Sequence, residues 1–276
     1  MSNVNKTFGI NTYSYTLDYT AADCLRHLAD KGFDSFELMM YPGHLWPHKM
    51  SKDELSDLKS VIEKNDLRIV SVNMPNIDIN VAGASPEMRD YTLGLLSQFM
   101  EFTGEIGASG MIVGPGKSNP LFAPTREELI GHTFAALDRL SPVAEKAGVT
   151  ILMENMPFAY MPAVKDLMKM LADYGNDDIG VIYDVANGHF IGMDPCEELR
   201  MAADRLKLVH FSDTNQKVYK HDAVGMGDVP FATVPPVLAE IGYREKPMLE
   251  IIAPNPDAGL LDSCAQLYEM GYRSAI

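Results

Sequence analysis

Short apolar runs alternate along the chain with longer segments in which apolar residues recur at helical spacing. The run TILME at 150–154 is almost continuously apolar, which is typical of a parallel strand buried on both faces. Similar runs recur along the chain and begin roughly 26 to 41 residues apart. The pattern predicts eight strands, at residues 7–15, 33–40, 68–76, 109–116, 150–155, 179–187, 207–214 and 247–252.

The segments between these strands carry the signals of helices. Ser51 followed by Glu54 is a capping-box pattern at a helix start, and Gly32 is a helix stop. Pro86 and Pro195 stand near helix starts, where a missing N–H costs nothing. The predicted helices are residues 20–31, 51–65, 85–107, 125–148, 163–174, 196–205 and 234–242.

Repeated strand–helix units of this size predict a (β/α)8 TIM barrel, which commonly needs about 250 residues. A doubly wound sheet is the rival architecture. It is disfavoured because the first strand is not followed by GxGxxG, and the chain has no GxxxxGK[ST] sequence. No linker, low-complexity segment or shift in composition divides the chain, so we expect residues 1–276 to form one domain.

Composition narrows the possible environments and partners. The chain has 276 residues, 46% of them hydrophobic, and no apolar run near the 18 to 20 residues that a membrane helix needs. It has no secretory-signal pattern and only three widely spaced cysteines, from which we expect a reducing, cytoplasmic setting. A net charge of −15 disfavours nucleic acid as a partner. A small molecule is the expected partner, and a homo-oligomer stays possible.

Ionisable residues stand at the ends of the last four predicted strands. They are Glu154, Asp184, His210 and Glu250, each in its own strand–helix unit. In a barrel, catalytic groups project from the carboxyl ends of the strands, so these side chains are expected to meet. Three close carboxylates repel one another unless a cation lies between them. The pattern predicts one divalent metal ion, and Mn²⁺, Zn²⁺, Co²⁺ and Mg²⁺ all suit the ligands.

Each of these residues has a simpler interpretation when taken alone. A single Glu or Asp at a strand end more often caps a helix or pairs with a cation, and a single histidine more often forms a hydrogen bond in a core. The simpler interpretation weakens because all four residues share one end of the predicted barrel.

The segments around these residues resemble the sugar phosphate isomerase/epimerase family, which has a xylose-isomerase-like barrel. The resemblance covers nearly the whole chain. It is carried by FDSFELMM with Glu37, ILMEN, YDVANGH, LVHFSD, HDAVGMGDVPF at 221–231, and MLEI. The ordered Glu, Asp, His, Glu set is fairly specific to the superfamily and poorly specific to one substrate.

The resemblance implies that Glu154, Asp184, His210 and Glu250 bind the metal, and that the two glutamates are also the catalytic acid and base. One would remove a proton from a carbon next to a carbonyl, and the metal would stabilise the cis-enediolate. The other would return a proton to the opposite face, giving an epimer, or to the neighbouring carbon, giving an isomer. The substrate would be a ketose or keto-polyol.

The sequence departs from the family at two places. Relatives usually carry a histidine three residues after the Asp ligand, where this chain has Asn187, with His189 two residues further on. The endonuclease IV branch has an Asp two residues before the counterpart of His221, where this chain has Tyr219. Together with the net charge of −15, the second departure argues against DNA repair.

Further residues near strand ends are candidates for substrate binding. Asn187 and His221 offer hydrogen bonds, and Glu37 stands where relatives contact the sugar. Lys217 is a candidate partner for an anionic group, and Trp46 for a wall or lid. The candidate substrate-binding residues are Glu37, Asn73, Asn187, His221, Trp46 and Lys217.

Two other functions remain open at this stage. A metal-dependent dehydratase of the inosose or dehydroshikimate type would share the proton abstraction and then eliminate water. A barrel that binds metal or sugar without catalysis is the third possibility. The presence of both Glu154 and Glu250 favours an enzyme over that third possibility.

Overall fold

The computed structural model describes residues 2–74 and 78–273. Parallel strands β1 to β8 pair in chain order and close into a barrel, because β1 pairs with β8. The predicted (β/α)8 architecture is confirmed. Residues 75 and 76, which the sequence assigned to the third strand, lie outside the described residues. The strands are Gly9–Asn11, Ser35–Met39, Arg68–Asn73, Gly110–Val113, Thr150–Glu154, Gly180–Asp184, Leu206–Phe211 and Met248–Leu249.

The described helices surround this barrel. The predicted capping box is present, since Ser51 Oγ accepts from the Glu54 N–H and Glu54 Oε2 accepts from the Ser51 N–H. No helix in the described ranges has both the length and the apolar content to cross a membrane. Helices α1 to α10 are Ser2–Asn5, Ala21–Asp30, Lys52–Lys64, Pro86–Glu105, Arg126–Ala147, Val164–Tyr174, Val185–Phe190, Pro195–Ala202, Val234–Glu240 and Pro256–Glu269.

Three of the described helices were missed by the sequence analysis, namely the four-residue α1, α7 and α10. The predicted strand 179–187 ends at Asp184, and α7 follows at once, because the Asp184 side chain caps its first turn. The last helix, α10, follows Asn255, whose side chain accepts from the Ala258 N–H, and Pro256 occupies its first turn. The Asn-Pro pair was therefore the sequence signal for α10.

The last four strands present large apolar side chains to the barrel interior. Leu152, Ile182, Leu208 and Met248 belong to one buried cluster, separate from the larger core. Each stands two residues before one of the four candidate site residues. Side chains two positions apart on a strand point to the same face. The apolar cluster is therefore the floor on which the four ionisable side chains stand.

Leu152 fits this floor because a glycine on each adjacent strand lies beside its side chain. A Cβ added at Gly110 would lie 2.6 Å from Leu152 Cδ1, and one added at Gly180 would lie 2.9 Å from Leu152 Cδ2. The intervening residues Ile151 and Met153 face the other way, into the core beneath the helices. Strand β5 thus packs on both sides, as its apolar sequence predicted.

Glu198 links the helical layer to the site. This carboxyl is buried on α8, and its Oε1 accepts from the Val164 N–H at the start of α6 at 2.9 Å. Burial raises its pKa from the ordinary 4.5 to about 7. Glu198 Oε2 lies beside Gly188 of α7, where an added Cβ would approach it to 2.8 Å. The carboxyl therefore packs against α7, the helix that follows Asp184.

We expect Leu152→Ala to lower the free energy of unfolding by about 2–5 kcal/mol, since it removes apolar contacts and leaves a cavity in the floor. Urea unfolding followed by circular dichroism measures the change. Leu121→Ala is the matched control, because Leu121 is 91% exposed and its loss should change little. Equal stability of the two variants would contradict the packing described for the floor.

We expect Glu198→Gln to remove a pH dependence of stability. Between pH 4.5 and about 7 the folded state keeps a proton that the unfolded state has lost, so wild-type stability falls as pH rises. The slope is at most about 1.4 kcal/mol for each pH unit. Urea unfolding from pH 5 to pH 8 should show a flatter profile for Glu198→Gln. The exposed neighbour variant Glu197→Gln should keep the wild-type slope, and a wild-type slope in Glu198→Gln would refute the assignment.

Candidate metal centre and active site

The four ionisable side chains at the strand ends meet in one buried cluster. One ligand atom from each of Glu154, Asp184, His210 and Glu250 lies within 4.8 Å of all the others. The side chains are almost fully buried, with Asp184 and His210 at 0% exposure. The register of the barrel explains the proximity, because Asp184 and His210 are direct partners across β6 and β7.

His210 is oriented by a carboxylate behind it. Its Nε2 donates to Glu37 Oε2 at 3.2 Å, which leaves Nδ1 as the nitrogen that faces the cluster. His210 Nδ1 lies 3.3 Å from Glu250 Oε2, 3.8 Å from Glu154 Oε1 and 4.0 Å from Asp184 Oδ2. It has no hydrogen-bond partner among the described residues. A buried nitrogen surrounded by carboxylate oxygens in this way suits a cation between them.

Asp184 has two roles at once. Its Oδ1 accepts from the Asn187 N–H at 2.7 Å and so caps α7. Its Oδ2 is buried and has no hydrogen-bond partner within the described ranges. Asp184 therefore caps a helix, as a single Asp at a strand end often does. Only Oδ1 takes part in capping, so Oδ2 remains for the cluster. Asn155 holds the same segment, accepting from the Asp184 N–H and donating to the Asp184 carbonyl.

Crowding perturbs the protonation of the cluster. Burial, together with the Glu250 charge, raises the pKa of Glu154, and burial raises the pKa of Asp184 to about 6. Burial alone would lower the pKa of His210, but the Glu37 and Glu250 carboxylates outweigh it and raise that pKa. Burial also opposes ionisation of Glu250, yet His210 lowers its pKa.

The raised pKa values of Glu154 and Asp184 mean that these carboxyls ionise readily only beside a positive charge. Three carboxylates and an imidazole form an oxygen-rich donor set that Mn²⁺, Zn²⁺, Co²⁺ or Mg²⁺ accepts. The partnerless His210 Nδ1 and Asp184 Oδ2 both belong to this set. The residues present therefore fit one divalent cation.

Glu37 stands beneath the cluster rather than on the pocket wall. Its carboxylate accepts from the side chains of Asn11, Ser71 and Asn73 as well as from His210. It is fully buried and is absent from the lining of the cavity above the cluster. The structure thus places Glu37 as the residue that orients His210.

A cavity of about 430 Å³ opens above the cluster. Of the residues predicted from the sequence, those that line it are Glu154, Glu250, Asn73, Asn187 and His221. Its remaining lining is largely apolar, and it includes the exposed ring of Phe158. The cavity therefore brings both candidate catalytic glutamates to a space of ligand size.

Besides Glu37, two more of the predicted substrate-binding residues do not line this cavity. Trp46 packs edge-on against Phe99, with ring centroids 5.0 Å apart, and Lys217 is exposed on the loop after β7. His189 Nε2 lies 2.6 Å from Asp228 Oδ1, and His189 also lies off the lining. Asp228 does not cap the 3-10 turn Phe231–Thr233, whose N-cap residue is Pro230.

Several residues that shape the site were missed or underweighted in the sequence. Tyr219 and Lys117 line the cavity, and Tyr219 contacts both Asn187 and His221 through its hydroxyl. Ser71 donates to Glu37 from inside β3. The sequence signal for Ser71 was a polar residue within an apolar strand, two positions before Asn73.

Comparison with known proteins places the chain among related barrels. An uncharacterised protein of Methanocaldococcus jannaschii is 24% identical over 241 residues, covering 86% of this chain and 80% of that protein. The crystal structure of a D-tagatose 3-epimerase-like protein aligns with a TM-score of 0.81 and 22% identity over 95% of this chain and 96% of that one. D-psicose 3-epimerase with D-tagatose, from Clostridium cellulolyticum H10, aligns with a TM-score of 0.80 and 16% identity over 96% and 98%.

A family model agrees with these structural likenesses. The model described as xylose isomerase-like TIM barrel matches residues 25–270, nearly the whole chain. The chain therefore belongs to the xylose isomerase-like TIM barrel family.

Proposed function

We propose that this protein is a divalent-metal-dependent sugar isomerase or epimerase that acts on a ketose or keto-polyol by proton transfer. The observation that carries the proposal is the position of Glu154 and Glu250. Both belong to the buried cluster and both reach the cavity above it. The similar structures of a D-tagatose 3-epimerase-like protein and a D-psicose 3-epimerase support the same reaction class.

Glu154, Asp184, His210 and Glu250 would hold the cation. When bound, the cation would supply positive charge that stabilises the negative charge forming on the substrate oxygens. This would make it easier to remove a proton from carbon, which is a weak acid. Glu37 holds His210 with Nδ1 facing the cluster. Asn11 Nδ2 donates to Glu250 Oε1 at 3.1 Å, which fixes the second glutamate from the end of β1.

The proton steps belong to the two glutamates. One carboxylate accepts the proton from the carbon next to the substrate carbonyl, and the C–H electron pair becomes the double bond of an enediolate. The other glutamate enters the reaction protonated and then donates that proton. Delivery to the opposite face of the same carbon gives the epimer. Delivery to the former carbonyl carbon, with the neighbouring hydroxyl proton passing to the former carbonyl oxygen, gives the isomer. The apolar walls of the cavity limit access of water to these steps.

The cluster is expected to bind one divalent cation per chain. Metal content after dialysis against Mn²⁺ or Zn²⁺, measured by plasma mass spectrometry, should be near one per wild-type chain. Asp184→Asn should reduce it strongly, since the amide keeps a capping oxygen for α7 but removes a charge from the cluster. Glu197→Gln is the control that should retain the ion. Absence of a stoichiometric ion with Mn²⁺, Zn²⁺, Co²⁺ and Mg²⁺ alike would refute the site.

The two-glutamate assignment predicts a particular pattern of hydrogen exchange. Wild-type enzyme in D2O should place deuterium on carbon while it converts D-psicose or D-tagatose, as followed by NMR. Glu154→Gln and Glu250→Gln should each lower conversion by roughly 100-fold or more. Each should retain exchange with the epimer whose C–H faces the remaining carboxylate. Metal content is measured in parallel, so that a lost ion is not mistaken for a lost base.

Other outcomes of the exchange experiment have distinct meanings. Conversion that survives both substitutions would show that the glutamates are not the acid and base. Deuterium exchange accompanied by loss of water would instead identify a dehydratase. No exchange with any ketose of a broad panel, in a protein that holds its metal, would favour a barrel that binds without catalysis.

A further inference from the structure

Tyr219 lies on the cavity wall, between the loop after β7 and helix α7. Its ring packs against Phe158 and Phe190, with centroids 5.3 Å and 5.2 Å away. Its hydroxyl lies 2.7 Å from both Asn187 Oδ1 and His221 Nε2. The side chain is therefore fixed by packing and by polar contacts on both sides.

The loop that carries Tyr219 is itself held in place. Asp213, two residues after the end of β7, accepts from the N–H groups of Gly225 and Val229. Asp213 and Asp222 also exchange backbone hydrogen bonds at 2.8 Å. These contacts tie both ends of the Tyr219 segment to the barrel, so the position of the hydroxyl is set by the fold.

The orientation of the Asn187 amide is set by a backbone group. One end of the amide lies 2.9 Å from the Asn155 carbonyl oxygen, which can only accept, so that end must be the NH₂ group. The same NH₂ group donates to Glu154 Oε1 at 3.3 Å. The amide oxygen therefore faces Tyr219.

The orientation of the Asn187 amide determines that the Tyr219 hydroxyl and His221 Nε2 are both hydrogen-bond donors. Because Asn187 Oδ1 can only accept, the Tyr219 hydroxyl must donate its proton to Asn187. The Tyr219 oxygen is then an acceptor, so His221 must carry a proton on Nε2. The other nitrogen, Nδ1, lies 3.0 Å from Ser212 Oγ, from which it accepts when His221 is neutral, and 3.3 Å from the backbone carbonyl oxygen of Glu250.

We propose that Tyr219 is a positioning residue that fixes the direction of one hydrogen-bond chain, from Ser212 through His221, Tyr219 and Asn187 to Glu154. The chain holds the Glu154 carboxylate by Oε1 and fixes the tautomer of His221 beside Glu250. His221 Nδ1 lies 3.4 Å from Glu250 Oε2, so the chain touches both glutamates. The catalytic consequence of this inference rests on the proposed isomerase or epimerase function.

The hydrogen-bond chain holds side chains in position and does not conduct protons between the two glutamates. Asn187 stands in its path, and a carboxamide has no titratable proton to pass on at neutral pH. A side chain that orients a catalytic group usually affects turnover by roughly 10- to 100-fold when it is removed.

The first test needs no substrate. Nitrogen NMR of histidine-labelled protein at pH 8.5, with His221→Gln to assign the signals, should show wild-type His221 with its proton on Nε2. Tyr219→Phe keeps the ring packing and removes the hydroxyl, so His221 should lose this single tautomer. A wild-type proton on Nδ1, or an unchanged tautomer in Tyr219→Phe, would overturn the proposal. The tautomer can be measured even if the protein converts no sugar. A failure of the hydrogen-bond proposal is therefore distinguishable from a failure of the proposed enzymatic function.

The second test is kinetic and uses the metal-loaded protein with D-psicose or D-tagatose. Tyr219→Phe should lower kcat by roughly 10- to 100-fold with a smaller change in KM and unchanged metal content. Tyr174→Phe is the matched control, because it removes a hydroxyl that bonds Asp138 away from the cavity. A kcat within twofold of wild type, or a rise in KM alone, would show that Tyr219 is only a wall of the cavity.

Discussion

Repulsion among three buried carboxylates is the constraint on which the rest of the site depends. Glu154, Asp184 and Glu250 lie within contact range of one another at 0% to 5% exposure. Isolated charges at such burial cost far more than a protein can recover, so positive charge must accompany them. His210, held by Glu37, supplies that charge when it is protonated, and when it is neutral it supplies Nδ1 as a ligand for a cation. The remaining donor atoms match a divalent cation, and the cavity opens directly above them.

The two-residue period of the strands brings the four ionisable side chains together at one end of the barrel. Each ionisable residue follows a floor residue by two positions, so the turn from apolar to polar occurs at the same height on four neighbouring strands. The floor is closely packed around Leu152, which fills space that glycines on both adjacent strands leave open. The dry floor excludes water from below and strengthens the electrostatic interactions above it.

The two-residue period of the strands also explains why the four clustered side chains could be predicted from the sequence. Strand ends and their ionisable residues follow from apolar runs, so the four clustered side chains were found without knowledge of the structure. The role of Glu37 could not be found in this way, since the register of β2 against β3 shifts between Phe36 and Glu37. Tyr219 also escaped prediction, because a loop residue is placed by contacts such as those of Asp213, which leave no periodic signal.

The two glutamates differ in what supports them. Glu250 Oε1 accepts from Asn11 and Asn73, which stand at the ends of β1 and β3 and are as rigid as the barrel itself. Glu154 Oε1 accepts from Asn187, which belongs to the short helix α7 and contacts the loop after β7. Substitutions in the loops that line the cavity can therefore reach Glu154 through Asn187, whereas the contacts of Glu250 Oε1 with Asn11 and Asn73 do not involve these loops. The loop after β7 touches Glu250 at its other oxygen, Oε2, through His221.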